Sequence, residues 1–248
     1  MPQPTLSHSS TLPHRVGSTP RQIYGAFARG LLRPLKSLRP CASALVGAMI
    51  EVYETSRTEL SAEKQAHYVY SPRELSRWVR ALYSALQQHG DGDVSGEAGA
   101  AEGGAETSQA HLVRVWAYEG LRLFHDRLVS PEERTWTISL FASVADRHFA
   151  GVGAAATAQP MLFTSWLNGR LQEGEPAALS ELLRQRARAF EQEELGAPLI
   201  MFDEATEHAL RIARVLRQPV GHMLLIGASG VGKTVLTRFA AWMEGFAV

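Results

Sequence analysis

The sequence contains one cysteine, three lysines and no long apolar run, and each scarcity removes a class of function. A lone Cys41 has no partner for an intramolecular disulfide, which excludes a stapled secreted scaffold and makes the reducing cytosol the expected compartment. No window approaches the roughly 18 unbroken apolar residues that a membrane helix needs. The polar start, with its Pro, Ser and His, lacks the apolar stretch of a signal peptide. The lysines stand only at Lys36, Lys64 and Lys233, and 25 basic residues balance 25 acidic ones. Composition therefore offers no electrostatic case for binding nucleic acid or an anionic membrane. What remains is a chain of 248 residues, 45% hydrophobic and 20% charged, long enough for one large domain or two ordinary ones with a real core.

Met1 to Pro20 carries four prolines among Ser and Thr and reads as a disordered tail. From Ile23 to Glu59 apolar residues recur at helical spacings, with breaks near Pro34 and Pro40, so two or three helices are expected. Ser71-Pro72-Arg73-Glu74 is a sharper start: Ser caps, Pro fits the first helical position and Glu closes a capping box. Leu75, Trp78, Val79, Leu82 and Leu86 then form one apolar stripe. Residues 89–110 are Gly, Ala, Glu and Asp with almost no large apolar side chain, which predicts a flexible acidic insert. The stripe resumes as Val113, Trp116, Ala117, Gly120, Phe124 and Leu128 on one helix ended with the help of Pro131. Gly151 to Ala158 reads as a small-residue linker, and Pro176 to Leu195 as a charged helix. Pro198 to Phe202 has the length of a strand, and the helix after it carries Ala209, Ile212, Ala213 and Leu216 inward and stops at Pro219. Met223 to Ile226 is expected to be a buried strand leading through a turn into a helix with Val235, Leu236, Phe239 and Met243 on its core face.

That turn is the most informative segment. Gly227-Ala228-Ser229-Gly230-Val231-Gly232-Lys233-Thr234 fits G-x-x-x-x-G-K-[ST], in which backbone N–H groups converge on phosphate oxygens and glycines stand where a side chain would block approach. Lys233 would reach the β- and γ-phosphates and Thr234 would ligate Mg²⁺, while the helix starting there points its positive end at the anion. An accidental glycine turn is the bland alternative, but the strand, loop and helix pattern around it favours a phosphate loop for ATP.

Other candidates are weaker. Leu199 to Phe202 followed by Asp203 and Glu204 resembles a strand that positions Mg²⁺ and water in ATPases, yet it precedes the phosphate loop instead of following it. The acids are therefore read as suiting the positive start of a helix. Arg73 is a cation in the first turn of a helix, against the macrodipole, which suggests either that it reaches an anion or that its stem packs on Tyr70. His67, His111 and His125 lack metal-ligand spacing, and Trp78, Trp116 and Trp166 read as core anchors.

Three stretches resemble the heavy chains of cytoplasmic dynein, microtubule motors built on a ring of six AAA+ modules. They are HYVYSPRELSRWVRALYSAL, VWAYEGLRLFHDRLVSPEERTW and APLIMFDEATEHALRIARVLRQPVGHMLLIGASGVGKTVLTRFAAWMEGFAV. The resemblance implies a mostly α fold with an incomplete α/β P-loop subdomain. Residues 21–149 would be the helical lid of the third module, and 150–248 the opening strand, loop and helix of the fourth. It further implies that Arg73 senses the γ-phosphate bound to the preceding module, and that Pro198 to Ile200 lie near the adenine. ATP in the fourth module would act mainly as a regulator. The expected partners are the other modules of the same heavy chain, with intermediate chains, light chains and microtubules engaged through other parts of a parent protein in the cytoplasm. Val231 and Val235 depart from the Ala and Thr usual in this loop, and the acidic insert is not a family feature. Because no second acidic strand, sensor or arginine finger follows the loop, the segment is expected to be a fragment that binds ATP without hydrolysing it efficiently. The rival readings are another AAA+ or STAND-type ATPase with an unrelated helical domain, and a non-enzymatic interaction module stabilised by nucleotide.

Overall fold

The computed structural model describes residues 18–90, 103–194, 199–218 and 221–247. Helix α1 (Ser18–Leu32) and helix α2 (Ala42–Glu59) are joined through a 3₁₀ turn (Lys36–Cys41) that contains Pro40. The chain reverses there because Pro34 cannot continue a helix. The Arg39 guanidinium then secures the corner by donating twice to the Arg33 carbonyl, at 2.9 and 2.6 Å. The tail expectation is corrected at its last three residues, since Ser18 to Pro20 open α1; residues 1–17 lie outside the described residues.

Helix α3 (Pro72–Gly90) starts as its sequence predicts. The Ser71 N–H donates to Glu74 Oε2 at 2.7 Å, and the Arg73 N–H reaches Ser71 Oγ at 3.3 Å. Helix α5 (Pro131–His148) repeats the device, with Ser130 Oγ accepting the Glu133 N–H at 3.1 Å. Between them helix α4 (Gly103–Phe124) crosses the core. Two expectations shift here. Residues 103–110 belong to α4, whereas 91–102 of the acidic insert lie outside the described residues. Leu128 lies beyond α4, in a turn where its N–H meets the His125 carbonyl at 3.0 Å, and it is still buried.

An aromatic cluster holds α3, α4 and α5 together. Trp78 stacks on Trp116 with centroids 5.4 Å apart, and Phe124 and Phe141 close around them. Each such side chain contributes about 2–3 kcal/mol by leaving water. The Trp78 indole N–H is satisfied by the Trp116 carbonyl at 3.0 Å. Gly120 makes the close approach possible, because a Cβ there would lie 2.7 Å from Trp78 Cε2 and nearer still to Phe141.

The segment expected to be a linker is instead packed. Helix α6 (Gly153–Thr157) is held by the Gly153 N–H donating to Asp146 at 2.7 Å, and Gly153 is small because a Cβ would strike Asp146 and the Ala142 carbonyl. Arg114 of α4 then gathers the carbonyls of Ala155, Ala156, Ala158 and Pro160 together with the Glu173 carboxylate. The short antiparallel pair β1 (Phe163–Thr164) and β2 (Gln172–Glu173) leads into helix α7 (Pro176–Glu194), helix α8 (Asp203–Leu216) and helix α9 (Lys233–Met243). Leu179, Leu183, Ala187 and Phe190 of α7 enclose Phe239 of α9 with Leu210 of α8 as a second core. No helix among the described residues is long and apolar enough to cross a membrane.

The fold is therefore mostly α, with a small P-loop portion. The expectation of a buried strand over Met223–Ile226 is corrected. Exposure there alternates as 37%, 82%, 37% and 88%, the period of a strand, yet it has no pairing partner among the described residues and its outer face is bare. Leu199–Phe202 likewise forms no strand among them, with Ile200 and Phe202 exposed.

Candidate functional site

Residues 227–231 form an exposed loop that ends where α9 begins. Gly230 has φ 83° and Gly232 φ 79°, the left-handed region that costs any other L-residue about 1–2 kcal/mol. A Cβ at Gly227 would meet Val231 and Lys233 only at ordinary contact distances of 3.6 and 3.7 Å. The conformational need for glycine in the loop is thus concentrated at Gly230 and Gly232. Gly232 is also the N-cap of α9 and supplies no capping side chain, so the first-turn N–H groups have no side-chain acceptor. An α-helix with free N–H groups at its positive end is suited to an anion.

Lys233 completes the concavity. Its ammonium donates to the Gly227 carbonyl at 3.0 Å and the Ala228 carbonyl at 2.6 Å, bending back across the loop. These carbonyls satisfy the ammonium where phosphate oxygens would otherwise do so. Thr234 is exposed one residue into α9, and Ala228, Ser229 and Val231 of the loop are exposed. The backbone amides of this turn and the Lys233 ammonium are the groups that could hold a polyphosphate, and Thr234 is the residue whose hydroxyl could hold a Mg²⁺ ion bound with it.

The other candidates separate from this loop. Arg73 is exposed and its side chain has no hydrogen bond or ion pair among the described residues. Tyr70 stacks on Phe124 and has the Arg127 guanidinium over its ring. Asp203 and Glu204 sit in the first turn of α8, where carboxylates favour the helix dipole, and neither makes a capping hydrogen bond. His67 lies 3.1 Å from the Arg127 carbonyl and His125 3.3 Å from Asp126. Trp166 packs edge-on to Phe239 and donates its indole N–H to Glu244 at 2.8 Å.

Sequence reasoning missed how the loop is fastened to the helices before it. Arg211, Arg214 and Arg217 recur every third residue along α8 and its cap, a basic i, i+3, i+6 pattern visible in the sequence. Arg214 is 3% exposed and binds Glu119 of α4, itself 1% exposed, through Nε at 2.8 Å and Nη2 at 2.6 Å. The same guanidinium reaches the Ala81 carbonyl of α3 at 3.1 Å. Arg211 lies 3.9 Å from Asp126. Burial alone would raise the Asp126 carboxyl, but Arg122, His125 and Arg211 around it hold it below the usual carboxylate range. Arg217 pairs with Glu244 at the end of α9.

With this geometry in hand, comparison with known proteins is specific. Residues 27–134 match the family described as "Dynein heavy chain, ATPase lid domain", and residues 197–248 match "P-loop containing dynein motor region D4". The chain is 45% identical over 227 residues to "Dynein heavy chain, cytoplasmic" of Dictyostelium discoideum, covering 92% of this chain and 4% of that one. It is 43% identical over 229 residues to the cytoplasmic dynein heavy chain of Drosophila melanogaster and 42% over 228 residues to that of Paramecium tetraurelia, covering 92% of this chain and 5% of each relative. The matches run through α1 to α5 as well as through the phosphate loop, so the likeness is not that of a P-loop alone, and the chain belongs to the dynein heavy-chain family.

Proposed function

We propose that the chain serves as a stretch of a dynein motor heavy chain in which residues 21–149 form the helical lid of the third AAA+ module and residues 150–248 open the fourth. In this reading Gly227, Ala228, Ser229, Gly230, Val231, Gly232, Lys233 and Thr234 hold ATP with Mg²⁺. Bound nucleotide supports minus-end-directed motility on microtubules in the cytoplasm. The observation that carries the reading is the left-handed backbone at Gly230 and Gly232 beside an ammonium poised over the loop. The remaining residues have definable tasks. Backbone N–H groups of the loop and of α9 orient the phosphates, Lys233 neutralises charge, and Thr234 holds the ion. Arg73 would reach the nucleotide of the preceding module, which its exposed side chain, without a partner among the described residues, leaves it free to do. Intermediate and light chains and microtubules would be engaged by other parts of the heavy chain.

Lys233→Ala tests the reading. A hydrogen bond to a charged group is worth about 1.5–3 kcal/mol, so loss of the ammonium should weaken ATP binding by about 10- to 100-fold. Calorimetric titration of ATP into the chain, wild type and variant, reads this directly. Equal affinities would remove Lys233 from the site, and no binding by either would refute the nucleotide reading.

A further inference from the structure

We propose that α8 is a strut that couples the occupancy of the phosphate loop to α3 and α4, with Arg214 as the positioning residue at its lid end and Arg217 at its loop end. The inference rests on the nucleotide reading above and adds the route by which binding is felt elsewhere. At the loop end, α9 is an 11-residue helix whose first turn would face bound phosphates. At about 1.5 Å per residue it is a rod of roughly 16 Å. Its far end is fixed by Glu244, whose side chain is 4% exposed and accepts hydrogen bonds from Trp166 and Arg217. Any shift of α9 against the phosphates therefore arrives at Arg217.

Arg217, the cap of α8, lies six residue steps beyond Arg211, about 9 Å along the helix axis. Within that span Arg214 is forked between Glu119 of α4 and the Ala81 carbonyl of α3, and its Nη1 stands 3.5 Å from Ser84 Oγ. The lid end has few alternative positions. A buried carboxylate deprived of its cation is strongly unfavourable, so α8 cannot slide along α4 without orphaning Glu119. Stability does not explain the arrangement by itself, because a buried ion pair is often no better for stability than apolar side chains of the same size. A fixed register between the loop helix and the lid is what the pair adds.

Hydrogen exchange on the whole chain, with and without saturating ATP·Mg, tests this. In the wild type, ATP should slow amide exchange in α3 and α4 as well as in α9, by about fivefold or more, the low end of coupling between sites. In Arg214→Met/Glu119→Met, which removes both charges together and so leaves neither orphaned, slowing should persist in α9 and vanish from α3 and α4. Arg217→Gln, a milder change at the loop end, should give the same split if the double variant folds poorly. Protection of α9 that never extends to α3 and α4 in the wild type overturns this inference and leaves the nucleotide reading intact. So does protection that still reaches α3 and α4 in either variant. Absence of any effect of ATP on exchange overturns both.

Discussion

Gly120→Ala is the sharpest probe of the packing on which the helical part depends. In an exposed helix the change would stabilise by about 1 kcal/mol through propensity. Here the new methyl would sit 2.7 Å from Trp78 Cε2 and closer to Phe141, against a comfortable carbon–carbon separation of about 3.5–4.0 Å. Both rings are fully buried, so each must retreat by on the order of 1 Å into neighbours already in contact. Trp78 cannot move freely, because its indole N–H is tied to the Trp116 carbonyl, a bond worth about 1 kcal/mol. Overpacking costs about 1–3 kcal/mol, and two aromatic rings place this case at the upper end. Setting the propensity gain against the lost bond leaves a net destabilisation of about 3 kcal/mol, or roughly 6–12 °C in Tm for a chain of this size. Gly30 of α1 is the built-in comparison, since a Cβ there meets nothing within 4 Å, and Gly30→Ala should raise Tm by about 2–4 °C. Thermal unfolding followed by far-UV circular dichroism reads both variants. A neutral or stabilising Gly120→Ala would refute the packing of α3, α4 and α5 argued above.

The Tyr118 hydroxyl is buried without a hydrogen-bond partner among the described residues, so Tyr118→Phe should raise stability by about 1 kcal/mol, measured by urea unfolding. Burial pushes the same phenol up to about 12, against an offsetting pull from Arg122. A raised folded-state pKa stabilises fully below the unfolded value near 10, and that contribution disappears as pH climbs toward 12. The loss is about 3 kcal/mol, visible as a falling urea midpoint and much reduced in Tyr118→Phe. Tyr70, likewise pushed up to about 12 by burial, adds a loss in the same window that Tyr118→Phe should leave in place. Arg73→Ala should change stability by less than about 0.5 kcal/mol, because its exposed side chain has no partner among the described residues. In a dynein heavy chain carrying this segment, the same substitution should weaken ATP binding at the preceding module. An unchanged affinity there would leave Arg73 a solvated side chain.

The helices were legible because their signals are local. Ser71 and Glu74 announce a capping box, and the stripe from Leu75 to Leu86 announces a buried face; both appear in place. The phosphate loop was legible for the same reason, its left-handed glycines and lysine lying within eight consecutive residues. Long-range features were hidden. Residues 153–157 look like a linker until Asp146 at the end of the preceding helix and Arg114, far back in sequence on α4, supply the hydrogen bonds that hold them. Glu119 reads as an ordinary polar residue on a helix until Arg214, 95 positions away, buries it. Met223–Ile226 shows the opposite failure. Its four apolar residues predict a buried strand, but a strand and its burial both require neighbours, and the described residues provide none.

Direct observation of the loop with nucleotide is the most stringent measurement. In a crystal or cryo-EM structure of a dynein heavy chain carrying this segment, solved with ATP and Mg²⁺, a triphosphate should lie about 3 Å from the amides around Gly230 and Gly232, with the Lys233 ammonium turned from the Gly227 and Ala228 carbonyls onto it. A well-ordered loop that remains empty in saturating ATP, its lysine still bound to those carbonyls, would contradict the account.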